Sequence, residues 1–294
     1  MNILIILTGL LMALADTMPG LSGGTICFIM GYYDKLLSSI KDLLNKDKRK
    51  SALTFLIKIG VGWIVGLVIG VLVIEKLLAT NPYMMISFFL GLVIISIPMT
   101  FKSEVKYLKD YKNCYFAFIG AILVILISSA GSGIDLNLGD SLPIWVYGYA
   151  FIVAVCAISA MLLPGISGST ILLIFGIYQL VLTNIKTLIT DFNFQSFGFL
   201  LVFGLGVLFG AFFISKIISN AFKNHRSKVL YFIMGLLIGS IYAIYNSAPL
   251  IEGVDGNNFA PFTLDNLNII ALILGIFAII GIEIVKNILN GKKD

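Results

Sequence analysis

The chain has 294 residues, of which 59% are hydrophobic and only 12% charged, and its mean hydropathy is +1.03. A soluble domain carries about 25% charged residues, so the composition excludes a soluble enzyme or binding module and indicates an integral membrane protein. The net charge of +5 is dispersed over short loops, which marks membrane orientation and argues against nucleic-acid binding.

Ten apolar segments are predicted, all helical, at about residues 2–17, 25–44, 53–79, 83–101, 115–130, 144–163, 170–190, 197–219, 229–247 and 267–286. A helical span needs about 20 residues. The third, fourth, eighth, ninth and tenth meet that length, and the fifth reaches it with its flanks. The first two, and the sixth and seventh, are each divided by a Pro-Gly motif. Length leaves open whether these pairs are re-entrant half-helices or full spans. No basic n-region or small-x-small pattern precedes Asp16, so no cleaved signal peptide is expected.

The connections alternate in charge. Lys41, Lys46, Lys48, Arg49 and Lys50 form one basic loop, Lys102, Lys106, Lys109 and Lys112 a second, and Lys216, Lys223, Arg226 and Lys228 a third. Between the second and third, residues 131–143 carry only Asp135 and Asp140; after the third, residues 249–266 carry only Glu252, Asp255 and Asp265, before Lys286, Lys292 and Lys293 at the end. Basic loops stay cytoplasmic, which places both termini in the cytoplasm. His225 falls in the third basic loop and reads as a solvated residue. Cys27, Cys114 and Cys156 lie in or beside apolar segments, so no disulfide, metal site or cofactor is expected.

The most informative feature occurs twice. Met18-Pro19-Gly20-Leu21-Ser22-Gly23-Gly24-Thr25 is followed by Gly31-Tyr32-Tyr33, and Leu163-Pro164-Gly165-Ile166-Ser167-Gly168-Ser169-Thr170 by Gly176-Ile177-Tyr178. Two further blocks keep nearly the same register. Residues 55–62 with Gly66 match 199–206 with Gly210, and Gly91 to Ile97 matches Gly235 to Ile241. Residues 1–143 and 144–294 are therefore predicted to be two repeats forming one transmembrane domain. The loop charges orient the halves oppositely, giving an inverted-topology repeat in which each half has a broken helix pair and three spans.

Backbone broken within a membrane must be buried in protein or line a cavity. Ser and Thr cap helix starts, and the first helical turn presents unpaired N–H groups that favour an anion, phosphate above all. Ser22, Gly23, Gly24, Thr25, Ser167, Gly168, Ser169 and Thr170 are the candidate anion-binding residues. A capped hairpin that binds nothing is the structural alternative. Asp16 is an intramembrane carboxylate, expected either to couple transport to protons or to hold the break open; its counterpart is Met161. Lys58, matched by Val202, either snorkels to the interface or pairs with phosphate. Asp34 and its counterpart Gln179 follow the Gly-x-Tyr elements as hydrogen-bond acceptors. Gly62, Gly66 and Gly70, with Gly206 and Gly210, form small-xxx-small stripes, read as packing within the bundle with a homodimer face as the alternative.

These paired motifs resemble the signatures of the bacterial polyprenyl-phosphate transporters, a family long catalogued as a domain of unknown function. The resemblance covers nearly the whole chain. It implies a bacterial inner-membrane flippase that returns undecaprenyl phosphate from the outer to the cytoplasmic leaflet for cell-envelope synthesis. Its partners would be the polyprenyl phosphate and the surrounding membrane lipids, and it would not be an enzyme. Gln179 departs from the acidic residue expected after Tyr178. Undecaprenyl-diphosphate phosphatases share a Pro-Gly-x-Ser-Arg-Ser type loop, but neither motif here contains an arginine to stabilise a transferring phosphoryl group. A small-anion channel or transporter is the other competing class.

Overall fold

The computed structural model describes residues 2–17, 22–102, 104–108, 110–129, 142–251 and 259–291. Its elements are helical: α1 (Asn2–Asp16), α2 (Gly23–Ile29), α3 (Tyr33–Asp42), α4 (Arg49–Ile69), α5 (Glu75–Thr80), α6 (Pro82–Lys102), α7 (Tyr115–Ser129), α8 (Ile144–Leu162), α9 (Gly168–Ile174), α10 (Tyr178–Thr190), α11 (Phe194–Tyr245) and α12 (Ile269–Gly291). No strand occurs among the described residues. A π turn at Gly70–Ile74 joins α4 to α5, so residues 49–80 run as one apolar rod. Four described helices are long and apolar enough to cross a membrane.

The outer surface is apolar. Ile57, Phe118, Leu208 and Phe277 are all more than 60% exposed on four different helices, the pattern expected of a chain solvated by lipid. Inside, small residues bring backbones together. Gly62 and Gly66 of α4 abut Ile6 and Leu10 of α1, while Gly206 and Gly210 of α11 abut Phe151 and Val155 of α8. The glycine stripes thus pack within the bundle. Gly91 of α6 meets Leu272 of α12, and Gly235 of α11 meets Ala117 of α7. The largest buried cluster joins α1, α2, α3 and α4 to α6, α11 and α12 through Tyr33, Phe55, Ile86, Leu230 and Ile279.

Two predicted segments take a different form. The apolar run at 25–44 is cornered into α2 and α3, and the run at 170–190 into α9 and α10. Gly31 (φ 74°) and Gly176 (φ 68°) make the corners. At each, the next residue's N–H reaches back five positions, Tyr32 to Cys27 and Ile177 to Leu172, as in a Schellman ending. α9 and α10 bend by 104°. The second difference is α11, where the expected loop around residues 223–228 is helical. Lys and Arg are good helix formers, so charge alone does not end the helix. At 52 residues α11 would measure about 78 Å if straight, more than twice the hydrocarbon core. It breaks at His225, which is exposed and has φ −138°, ψ 43°. Asn81, between α5 and α6, has φ −140°, ψ 58°. The two residues occupy matching positions in the register of the sequence repeat.

Candidate functional site

α1 ends at Asp16, inside the protein. Its carboxylate accepts from Gly23 N at 2.7 Å through Oδ1 and from Trp63 Nε1 at 3.1 Å through Oδ2. One side chain thus ties the end of α1 to the start of α2 and to α4. Ser22 is the N-cap of α2, in extended conformation, with its Oγ accepting from Gly24 N at 3.1 Å. Thr25 N donates to Ser22 O at 2.9 Å. The donors in the first turn of α2 are therefore satisfied from within the first half, one of them by a carboxylate. Pro19 and Gly20 lie outside the described residues.

The two breaks meet. Ser22 Oγ donates toward Met161 O at 3.1 Å, with Leu163 O at 3.4 Å. Tyr33 Oη donates to Leu162 O at 2.8 Å, and Gly165 N donates to Thr25 Oγ1 at 2.9 Å. Carbonyls released where α8 ends, and an amide released at the second Pro-Gly, are thus answered by side chains of the first half. Ser22 and Thr25 are 0% and 1% exposed. Such groups are costly to bury unpaired, and each supplies what the other half lacks. The approach is close. A Cβ on Gly24 would lie 3.0 Å from Met161 O, and one on Gly165 (φ 91°) 2.6 Å from Leu236 O.

The second break is built differently. Met161 stands where the first half has Asp16, so α9 has no matching carboxylate at its start. Ser167 is the N-cap of α9, but its side chain makes no cap bond. Its Oγ lies 2.7 Å from Ser169 Oγ. Gly168 is buried, while Ser169 and Thr170 are half-buried. Lys58 is half-buried on α4, on the turn before Gly62. The structure thus brings together Asp16, Ser22, Gly23, Gly24 and Thr25, and joins them to the 161–165 segment that precedes Ser167.

An ionic cluster escaped the sequence reading. Arg226, one residue past the break in α11, grips Glu104 through Nη2 at 2.6 Å and Nε at 3.1 Å, and touches Asp34 at 3.4 Å. Glu104 raises the guanidinium pKa further above its ordinary value, by hydrogen bond and by charge, as does Asp34. Asp34 neighbours Tyr33, so this cluster and the contact between the breaks share the first turn of α3.

A family model described as undecaprenyl phosphate translocase-like matches residues 12–258. Two curated relatives are each named polyprenyl-phosphate transporter. The one from Staphylococcus aureus is 34% identical over 248 residues, covering 83% of this chain and 86% of its own. The one from Vibrio cholerae is 33% identical over 305 aligned positions, covering 93% and 92%. No solved structure matches the chain significantly.

Proposed function

The chain belongs to the undecaprenyl phosphate translocase-like family, and on that basis we propose that it is a bacterial inner-membrane flippase carrying polyprenyl phosphate from the outer to the cytoplasmic leaflet. Residues 1–143 and 144–294 act as inverted repeats of one transmembrane domain, with both termini in the cytoplasm. Matching corners at Gly31 and Gly176, matching bends at Asn81 and His225, and the equivalent pairings α1–α4 and α8–α11 all support this. The final spans are exchanged, α12 packing on α6 and α7 on α11, so the halves work as one body.

The direct contact between the two breaks carries the proposal. It joins hydroxyls of the first half to polar backbone of the second inside an otherwise apolar bundle, where a phosphate headgroup needs partners and its hydrocarbon tail can remain in lipid. In the described conformation Asp16 and Ser22 occupy the donors of α2. The phosphate is first received by Ser167, Gly168, Ser169 and Thr170. Parting of the breaks then frees Ser22, Gly23, Gly24 and Thr25 to complete the site, with Lys58 neutralising charge. Protonating Asp16 weakens its hold on Gly23 and Trp63, and so couples proton uptake to that parting.

The test is leaflet exchange of a fluorescent polyprenyl phosphate in vesicles containing the purified protein, across a range of pH. The protein should accelerate exchange, release no inorganic phosphate, and lose its pH dependence in Asp16→Asn. Exchange no faster than in protein-free vesicles would sink the flippase proposal. Phosphate release would mark a hydrolase, and unchanged pH dependence in Asp16→Asn would remove the coupling role.

A further inference from the structure

α3 and α11 flank a second feature, an open pocket with charged residues at its wall. A cavity of about 380 Å³ is lined by Asp34, Lys35 and Ser38 of α3 and by Ser219, Lys223 and Arg226 of α11. Three lining residues are cations and one is an acid. The volume lies within the range of about 300–1,000 Å³ typical of small-ligand sites.

Arg226 is arranged to receive an anion. Glu104 holds its Nη2 and Nε edge in a bidentate grip, and the guanidinium lies over the rings of Tyr107 and Phe222, 4.9 and 5.7 Å from their centroids. Among the described residues, the remaining Nη1 makes only the 3.4 Å contact to Asp34, whose side chain is 55% exposed. A bidentate pair is strong and directional, whereas a long single contact to an exposed carboxylate is weak. Asp34 is therefore the replaceable partner. Lys35 and Lys223 are exposed at the same cavity, Lys35 lying 4.8 Å above the Phe55 ring.

The repeat register sharpens this. Asp34, Lys35 and Ser38 correspond to Gln179, Leu180 and Thr183, while Ser219, Lys223 and Arg226 correspond to Glu75, Ala79 and Pro82. None of the three cations has a cationic counterpart. The positive-inside bias accounts for cations at this end; the seating of Arg226 against Glu104 is what singles this pocket out.

We infer that this cavity is a phosphate-monoester subsite at one end of the pathway, in which the phosphate displaces Asp34 from Arg226 and is held by Arg226, Lys35 and Lys223. This rests on the transport reading above, under which that end faces the cytoplasm and the subsite accepts the headgroup after it passes the breaks. Tyr33, which anchors the contact between the breaks, adjoins Asp34, so a headgroup leaving the breaks along α3 meets this cavity next.

The test measures binding of two probes, polyprenyl phosphate and inorganic phosphate, to the full chain in nanodiscs. The variants are Lys35→Gln/Lys223→Gln, which changes two exposed side chains, and Asp34→Asn. Loss of two cations from contact with a phosphate should weaken binding roughly tenfold, and Asp34→Asn should tighten it by removing the competitor. A loss seen with the lipid, alone or with inorganic phosphate, assigns the subsite to the lipid headgroup; a loss confined to inorganic phosphate assigns it to free phosphate. Unchanged affinity for both probes in the lysine variant, or weaker binding in Asp34→Asn, overturns the inference. If the wild-type chain accelerates lipid exchange while the lysine variant binds as before, transport stands and only the subsite falls. If the wild-type chain neither binds nor moves the lipid, the transport reading itself fails.

Discussion

Asp16 should behave as a part-buried double acceptor, and its amide should not replace it. Gly23 N and Trp63 Nε1 are both donors, and each uses a separate carboxylate oxygen. An asparagine has one acceptor oxygen, and its NH₂ must then face whichever donor is left. A buried donor without a partner costs about 1–3 kcal/mol. At about 2–4 °C per kcal/mol for a chain somewhat smaller than this one, Asp16→Asn should lower the melting midpoint by roughly 2–12 °C. Asp16→Ala, which strands both donors, should lower it further. Trp63→Phe removes the second donor, so asparagine can aim its oxygen at Gly23 and its NH₂ away. The Asp16→Asn/Trp63→Phe protein should therefore be more stable than the sum of its single changes by about 1 kcal/mol. Midpoints are read as monodisperse protein surviving a heating step in detergent, which does not depend on Trp63 fluorescence. Additivity within about 0.5 kcal/mol would refute the double-acceptor role.

Two further changes probe the contact between the breaks. Tyr33→Phe removes the donor to Leu162 O while keeping the ring; stranding that carbonyl should cost about 1–2 kcal/mol, read as a lowered melting midpoint with assembly in the membrane retained. Gly24→Ala places a methyl 3.0 Å from Met161 O and 3.3 Å from Leu162 O. It should slow leaflet exchange in vesicles more than it lowers the melting midpoint, because the added group opposes closure of the breaks and leaves the rest of the bundle untouched.

Much of the local structure was legible because it has local causes. Ser22 caps α2 as its position in the motif implied, and the Gly-x-Tyr elements become corners because glycine tolerates positive φ there. The glycine stripes pack as read. Other features depend on distant partners. The sequence allowed Asp16 to be a proton carrier or a structural clamp; only the fold brings Trp63, 47 residues away, to its second oxygen. The grip of Arg226 on Glu104 spans 122 residues. The run Lys223 to Lys228 has the composition of a cytoplasmic loop, yet its residues also favour helix, so α11 continues through it and turns at His225. The hydroxyls of Ser22 and Thr25 have the chemistry of anion ligands, yet in this conformation they serve the backbone of the opposite half.

The two breaks share an architecture but not a charge, and that difference bears on energetics. A cation-lined cavity at one end favours an anionic headgroup there, yet it cannot by itself drive net movement; with equal lipid pools the two leaflets would still equilibrate. On the proposed inward route the difficulty is greater. A phosphate monoester carries about −1.5 to −2 charges, and each charge moved against an inside-negative potential of about 100 mV costs about 2.3 kcal/mol. The whole headgroup would thus climb roughly 3.5–4.6 kcal/mol. A proton travelling inward with it would remove about 2.3 kcal/mol of that climb. Under the proposed coupling, Asp16 is the acid that would take such a proton, since losing its bonds to Gly23 and Trp63 would loosen the start of α2. A clamp and a carrier are then one device. The same hydrogen bonds that should make Asp16→Asn less stable would make proton uptake by Asp16 a structural event.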